Sequence, residues 1–213
     1  TMGEGGAIFT NNSRIKRVSE SFRDWGRDCY CEPGVENTCK KRFEWQLGKL
    51  PFGYDHKYIY SHIGFNMKIT DMQAACGLGQ LENLEIFIEK RKTNVLFLKK
   101  QLTELQDEIH LPEAEINSDP SWFGFPITIK KESKFRRTDL IKKLTESKIG
   151  TRLLFSGNLT KQPAYLSKKF IVHGKLDTTD LIMNNTFWVG IQPAIGEEEL
   201  SFIAQIIKEF FKK

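Results

Sequence analysis

Apolar residues fall at helical spacing in four parts of the chain and in short extended runs in between. In SRIKRVSESFRDWG (13–26), Ile15, Val18 and Phe22 share a helical face, and Gly26 is placed as the C-terminal stop. Farther on, Leu81, Leu84, Ile88, Val95, Leu98, Leu102 and Leu105 recur at intervals of three, four or seven. Thr70 followed by Gln73 is a capping-box signature, so the pattern predicts one long amphipathic helix over 70–106. Beyond it, WFGFPITI (122–129) reads as a strand and TDLIKKLTESK (138–148) as a helix capped by Thr138. FIVHG and TFWVGIQP read as strands or extended pieces. EEELSFIAQIIKEFFKK closes the chain as a helix with Leu200, Ile203, Ile207 and Phe210 on one face and acids in its first turn. At the other end, GEGGAIFTNN reads as a turn running into a short strand. That is how a domain continues, so the chain is expected to be the downstream part of something longer.

This order of elements predicts a mixed α/β protein. Residues 1–67 would form the end of a larger domain, including a cysteine loop over 27–57. A linking helix would occupy 68–106 and a small α/β domain 107–213. Composition changes this picture little. With 213 residues, 39% apolar and 28% charged, the chain has globular values and length enough for a real core. The net charge of +5 comes from lysines spread over helical stretches, a solvated-face pattern that argues against a nucleic-acid surface. No apolar run reaches the about 20 residues a bilayer span requires, so no membrane role is expected. TMGEGGAIFT lacks the basic and apolar regions of a secretory signal. With four cysteines and no export signal, a reducing, cytoplasmic setting is expected.

Candidate chemistry concentrates in RDCYCEPGVENTC (27–39), where Cys29, Cys31 and Cys39 follow a C-x-C-x7-C spacing. Clustered thiolates are soft ligands for zinc, copper(I) or an iron–sulfur cluster. The C-x-C pair is tighter than the usual zinc knuckle, and an iron–sulfur cluster takes four protein ligands where this loop offers three. The fourth is open between Cys76, a histidine such as His56, and a residue upstream of Thr1. A loop this long is ordinarily functional or held by something, and a metal would supply that constraint. The alternative is three unrelated free thiols. Cys76, among small residues on a helix, reads as a buried inert thiol. His56, His110 and His173 are isolated and read as solvent or loop residues, while His62 and Lys68 flank Asn66.

GEGGAI, the cysteine loop, YDHKYIYSHIGFNMKITDMQAACGLGQLE, SDPSWFGFPITI, IGTRLLFSGNLTKQP and NNTFWVG occur in that order across essentially the whole chain. Together they strongly resemble the C-terminal half of the CDP-4-keto-6-deoxyglucose 3-dehydrases. These are the iron–sulfur branch of the sugar aminotransferase-like, fold-type I pyridoxal phosphate enzymes. GFN-x-K-x-TD-x-QAA marks the wider family, and the cysteine insert narrows it to the dehydrase. The resemblance implies the C-terminal portion of a fold-type I transferase. It implies two cofactors, pyridoxamine or pyridoxal 5'-phosphate and a [2Fe–2S] cluster. The reaction implied is loss of the C3 hydroxyl of CDP-4-keto-6-deoxyglucose, a dehydratase (lyase) step toward dideoxyhexoses of lipopolysaccharide O-antigen. Electrons would come singly through the cluster from an NADH-dependent flavin iron–sulfur reductase.

Carried over by position, Cys29, Cys31 and Cys39 match three cluster ligands, the family's remaining ligand lying upstream. Asn66 matches the asparagine that reaches the cofactor phosphate of the neighbouring subunit in a homodimer, and Phe123 an aromatic near cofactor and sugar. Phe125, two positions on, reads as core. Arg152 and Asn158, in GTRLLFSGN, are candidate contacts for the sugar or its diphosphate, arginine for its planar paired donors. No catalytic base is expected in this chain, because the family's histidine would fall just upstream of Thr1. The segment alone is therefore expected to be inactive and to lose both cofactors. Two alternatives stand beside this reading. One is a pyridoxal phosphate-dependent nucleotide-sugar aminotransferase with idle cysteines, and the other a non-catalytic dimerisation module.

Overall fold

Asn and Gly weaken helices, Asn by offering the backbone a competing side-chain partner and Gly by its entropy. Gly77, Gly79 and Asn83 crowd the segment expected to be one helix, and the helix breaks there. The computed structural model, which describes residues 2–32 and 34–212, shows α2 over Asp71–Leu81 and α3 over Leu84–Leu102. Between them Asn83 takes φ −105° and ψ 3°, outside the helical well, and offers α3 no side-chain cap. The chain divides at this break into two units, 1–82 and 83–213. Among the described residues, no helix is long and apolar enough to cross a membrane.

The second unit has a conventional core. Its sheet has strand order β1-β2-β4-β3, all neighbours antiparallel, from Ile109–His110 (β1), Gly124–Ile129 (β2), Thr151–Leu153 (β3) and Thr186–Gly190 (β4). In β2 burial alternates, so Phe125, Ile127 and Ile129 turn inward while Gly124, Pro126 and Thr128 turn outward. Phe187 and Val189 of β4 face the same interior. Val95, Leu98 and Leu102 of α3 pack there, as do Leu140 and Leu144 of α4 (Arg137–Glu146). Leu200, Ile203 and Ile207 of α6 (Glu197–Phe211) complete the interior. Buried Asn94 donates to the carbonyls of Ile191, Gln192 and Ile195, tying α3 to the turn after β4. The acids Glu197, Glu198 and Glu199 sit at the positive end of α6, and Glu199 accepts from the Gly196 N–H.

Several expected elements shift. α4 begins at Arg137, with Arg136 at the cap position, so Thr138 is inside the helix and does not cap it. Arg136 instead pairs with Asp139 of the first turn at 2.9 Å. FIVHG forms no strand among the described residues; it has no ladder partner, and Gly174 turns the chain at φ +71°. α5 (Asp177–Asn185) follows it. The opening stretch also stays irregular, with Ile8 and Phe9 exposed.

The first unit is built differently. α1 spans Ser13–Arg23, with the Asn12 carboxamide accepting from the Arg14 and Ile15 N–H groups. Gly26 at φ +86° reverses the chain after it and donates to the Ser21 carbonyl, so the stop signal acts as its sequence implied. There the backbone of 62–67 lies directly against the helix end. A Cβ on Gly26 would stand 1.9 Å from the His62 carbonyl oxygen, and one on Gly64 2.2 Å from the Gly26 nitrogen. Only glycine at both positions permits that approach. Three backbone hydrogen bonds hold it: Trp25 N–H to Phe65 O, Phe65 N–H to Phe22 O, and Met67 N–H to Arg23 O. α2 starts with the expected capping box between Thr70 and Gln73.

Candidate functional site

Residues 27–31 run extended beside 59–60, with Arg27 bridged antiparallel to Tyr60 and the Asp28 N–H donating to the Ile59 carbonyl. Side chains two apart on extended backbone share a face. Cys29 and Cys31 are accordingly half-buried while Tyr30 between them is exposed, its ring under the Arg17 guanidinium at 4.0 Å. The loop then turns through Asn37 (φ +51°) and Lys40 (φ +57°), which carries Cys39 back to the same place. The Lys41 N–H donates to Cys39 Sγ at 3.3 Å.

At the convergence point lies His56, fully buried although its position among polar residues read as loop or solvent. Cys29 Sγ is 3.3 Å from His56 Nε2 and Cys31 Sγ 3.7 Å. Cys39 Sγ is 3.7 Å from Nδ1 and 3.8 Å from Nε2. The donor atoms of Cys29, Cys31 and His56 all lie within 4.8 Å of one another. This ring is held from several sides. Asp55 accepts from the Lys57 N–H and caps a short 3-10 turn over His56–Tyr58, and the His56 N–H donates to the Arg42 carbonyl. Arg42 in turn grips Asp55 through Nε at 2.9 Å and a terminal nitrogen at 2.7 Å. Arg42 also reaches Glu36, which Lys57 meets at 3.0 Å, and Trp45 packs edge-on against the imidazole at 5.0 Å.

Electrostatics tune the cluster toward soft-metal chemistry. Burial pushes the Cys31 thiol up. Hydrogen bonds to it from Thr38, from the Cys39 backbone, and from the Cys39 and Cys29 thiols outweigh that and bring it down to about 7. Cys31 is therefore substantially thiolate at neutral pH. Burial raises Cys29 and Cys39. Burial likewise lowers His56, which keeps the imidazole neutral, the form that ligates metals. The Arg42 hydrogen bond holds Asp55 below its ordinary value. Cys29 and Cys31 also border a cavity of about 810 Å³ in the same unit, whose lining mixes cations such as Arg17, Arg27 and Lys57 with acids such as Glu20, Asp28 and Glu36. His62 at its edge faces Ser21 at 3.0 Å.

The other expected site residues distribute between the units. Asn66 belongs to the first. It is exposed, its backbone is bridged to Asp24, and its carboxamide makes no hydrogen bond among the described residues. Phe123 and Arg152 belong to the second, and both border Trp188 on the outer face of the sheet. Phe123 is 68% exposed and meets the indole edge-on at 5.3 Å, while Arg152 sits opposite Trp188 in the β3–β4 register. Gly124 is required here, since a Cβ would stand 2.3 Å from the Trp188 ring. Asn158 is buried, donates to Asp180 at 2.7 Å and accepts from Thr160, capping a 3-10 turn over Leu159–Lys161. Phe125 is core, as expected. Cys76 is exposed on α2, not buried, because the described part of its unit places nothing over that helix face. His110 and His173 are exposed.

The sequence profile of the DegT/DnrJ/EryC1/StrS aminotransferase family matches residues 1–208. The chain is 59% identical over 211 residues to a lipopolysaccharide biosynthesis protein, RfbH, of Salmonella typhimurium, covering 99% of this chain and 48% of that protein. It is 46% identical over 213 residues to a dTDP-4-dehydro-2,6-dideoxy-D-glucose 3-dehydratase of Saccharopolyspora spinosa, covering 100% and 46%. The chain thus spans about half the length of the curated relatives it matches. Among solved structures, a GDP-4-keto-6-deoxymannose-3-dehydratase with bound GDP-perosamine superposes with a TM-score of 0.74 at 21% identity, over 93% of this chain and 49% of the other. An aminotransferase of the same family from Brucella abortus gives 0.71 at 20% identity, over 96% and 46%. The fold is that of the matching half of fold-type I sugar aminotransferases and dehydratases.

Proposed function

The chain belongs to the DegT/DnrJ/EryC1/StrS aminotransferase family, and from that premise we propose that it forms part of a pyridoxamine phosphate-dependent, iron–sulfur nucleotide-sugar 3-dehydratase. The substrate proposed is CDP-4-keto-6-deoxyglucose, which would lose its C3 hydroxyl on the way to a dideoxyhexose of lipopolysaccharide. The protein would act as a cytoplasmic homodimer and draw electrons from an NADH-dependent flavin iron–sulfur reductase. One observation carries the reading: Cys29, Cys31 and Cys39 converge on a single point, at the edge of a cavity. A plain amino-group transfer has no use for gathered thiols, whereas a reductive removal of oxygen can draw its electrons one at a time from a thiolate-held cluster. The high identity to a lipopolysaccharide biosynthesis protein and to a sugar 3-dehydratase supports the same direction.

The residues fit such a centre chemically. Three thiols, one of them with its pKa at about 7, are the soft donors that iron–sulfur clusters take. When bound, the pyridoxamine cofactor would supply an amine and an electron sink, and the cluster single electrons. The chain's own residues would then position and screen. Asn66 would donate its free amide to the cofactor phosphate, and Phe123 with Trp188 would present an aromatic wall against which Arg152 could hold an anionic substrate group. Asn158 would shape that wall from behind, through Asp180 and Thr160.

The test uses the complete protein, supplied with substrate and reductase. Cys29→Ser or Cys39→Ser is expected to remove the visible cluster absorption and stop C3 reduction, while proton removal from the cofactor persists as solvent exchange. Normal reduction in either variant would overturn the reading and leave an aminotransferase with idle thiols.

A further inference from the structure

The chain leaves β3 at Leu153 and enters the loop 154–162 through an unusual residue. Phe155 takes φ +50°, in the left-handed region that bulky side chains avoid. Its side chain is 75% exposed, and its ring meets no other aromatic ring among the described residues. The fold therefore bears a strained backbone at a residue that buries little. Strain of this kind persists only where the surroundings fix it, and it gathers at ligand-binding positions.

The surroundings do fix it. The Leu153 carbonyl accepts from the Phe155 N–H at 2.7 Å and from Trp188 Nε1 at 3.1 Å, which pins the turn to β4. Gln162 donates to the Ser156 carbonyl at 2.8 Å, and the Asn158 N–H meets Met183 Sδ at 3.4 Å. Asn158 and Lys161 both close on Asp180, each at 2.7 Å. The loop thus spends Asn158, Lys161 and Gln162 on itself and on Asp180, and turns the flat ring of Phe155 outward.

Charge around the loop has one sign. Residues 147–176 hold Lys148, Arg152, Lys161, Lys168, Lys169 and Lys175 and no Asp or Glu. That stretch more than accounts for the chain's net +5, and cations elsewhere are matched by acids. Arg152, three positions before Phe155, meets no carboxylate among the described residues; its guanidinium donates to the Thr151 carbonyl. A stretch of one sign draws ligands of the other.

We infer that Phe155 stacks on the nucleobase of a nucleoside diphosphate whose phosphates pair with Arg152, and so sets affinity for the nucleotide end of the substrate. The inference rests on the nucleotide-sugar reading above and adds a residue that reading leaves unused. The loop suits a base better than a sugar. Sugars are held through their hydroxyls, which need open polar side chains, and Asn158, Lys161 and Gln162 are already engaged. A base needs only a flat aromatic face, since every base carries a π-face of its own.

The test measures equilibrium binding of CDP, dTDP and GDP to the complete protein by titration calorimetry, with inorganic pyrophosphate as the ligand that lacks a base. Phe155→Ala should weaken the best nucleotide by about 5- to 100-fold, the range of one base–aromatic stack, and leave pyrophosphate unchanged. Phe155→Tyr, which keeps the ring, should bind like the unaltered protein. Phe155→Gly should lose the same affinity yet unfold at no lower temperature, because glycine adopts this φ without strain. A residue kept for packing would behave the other way round. Three results each overturn the inference while the dehydratase reading stands: nucleotide affinity unchanged in Phe155→Ala, equal weakening of nucleotide and pyrophosphate, or earlier unfolding of Phe155→Gly. If the unaltered protein binds none of the three nucleotides, the inference and the nucleotide-sugar reading fall together. A failure of the deoxygenation chemistry alone would appear in turnover and leave these affinities, and their dependence on Phe155, as they are.

Discussion

Residues 83–213 enclose a continuous apolar interior from Val95 to Ile207. Among the described residues of 1–82, Ile59 is the single buried aliphatic side chain. The second unit is ordered by hydrophobic burial, which needs no particular partner and tolerates exchange of one apolar group for another of similar size. The first is ordered by specific, directional contacts: the glycine-to-glycine approach at Gly26 and Gly64, the Arg42–Asp55–Glu36–Lys57 charge network, and the sulfur cluster about His56. Its apolar residues, such as Ile15, Val18 and Phe22 of α1, are largely exposed within this chain. The lesson is that the two units should respond to different perturbations, and mutants can separate them.

The largest expected effect lies in the apolar unit. Phe187→Ala empties the middle of β4, where the ring is fully buried, and should cost about 3–5 kcal/mol in denaturant unfolding of 83–213. Hydrogen exchange in 27–60 should be unchanged; loss of protection there as well would show that the first unit leans on that core. In the directional unit, Gly26→Ala drives a methyl onto the His62 carbonyl at a positive φ. It should destabilise the α1 end by more than about 1 kcal/mol, read as faster exchange of the Trp25 and Phe65 amides. Thr70→Ala removes the capping box of α2 and should cost about 1 kcal/mol, visible as fraying of 71–74.

Acid should act on the charge network alone. Arg42 holds the Asp55 pKa below its ordinary value, so the stability this pair provides is present above about pH 4 and is lost as pH falls through the lowered folded value. Protection of the His56 amide should decline in that range while the α3 and α6 amides hold. Arg42→Met should remove the pH dependence, and an unchanged acid profile in that variant would assign it to another group. Smallest of all, Val18→Ala on the exposed face of α1 should change stability by no more than about 0.5 kcal/mol.

Where burial sets the structure, the sequence was informative. Periodicity located β2, β4 and α6, and Phe125 as core, because a buried face imposes its repeat on the residue types; it located α1 as well, although the apolar face of α1 is exposed within this chain. The Thr70–Gln73 box was equally legible, being a local contact spelled by two residues. Spacing failed where a few weak helix formers decided the outcome. The apolar repeat runs straight through 82–83, yet Asn83 breaks the helix, because a seven-residue pattern records which face is apolar and not where the backbone stops. FIVHG has a strand's composition without a strand's partner. Three sulfurs were visible as a motif and His56 as one candidate beside them, but its full burial among the sulfurs was not legible, since 17 positions separate it from Cys39. The one available hint was Asp55 directly before it, a turn-capping residue able to fix a neighbouring ring.

Cys29 and Cys31 reach one point because a single residue stands between them on extended backbone. That makes the loop's chemistry a question of odd and even. Adding or deleting one residue at Tyr30 would send one sulfur outward, whatever residue type were chosen, whereas a change of two would restore the facing. Variation in loop length at this place should therefore come in pairs, and Tyr30 should be freer in identity than in number.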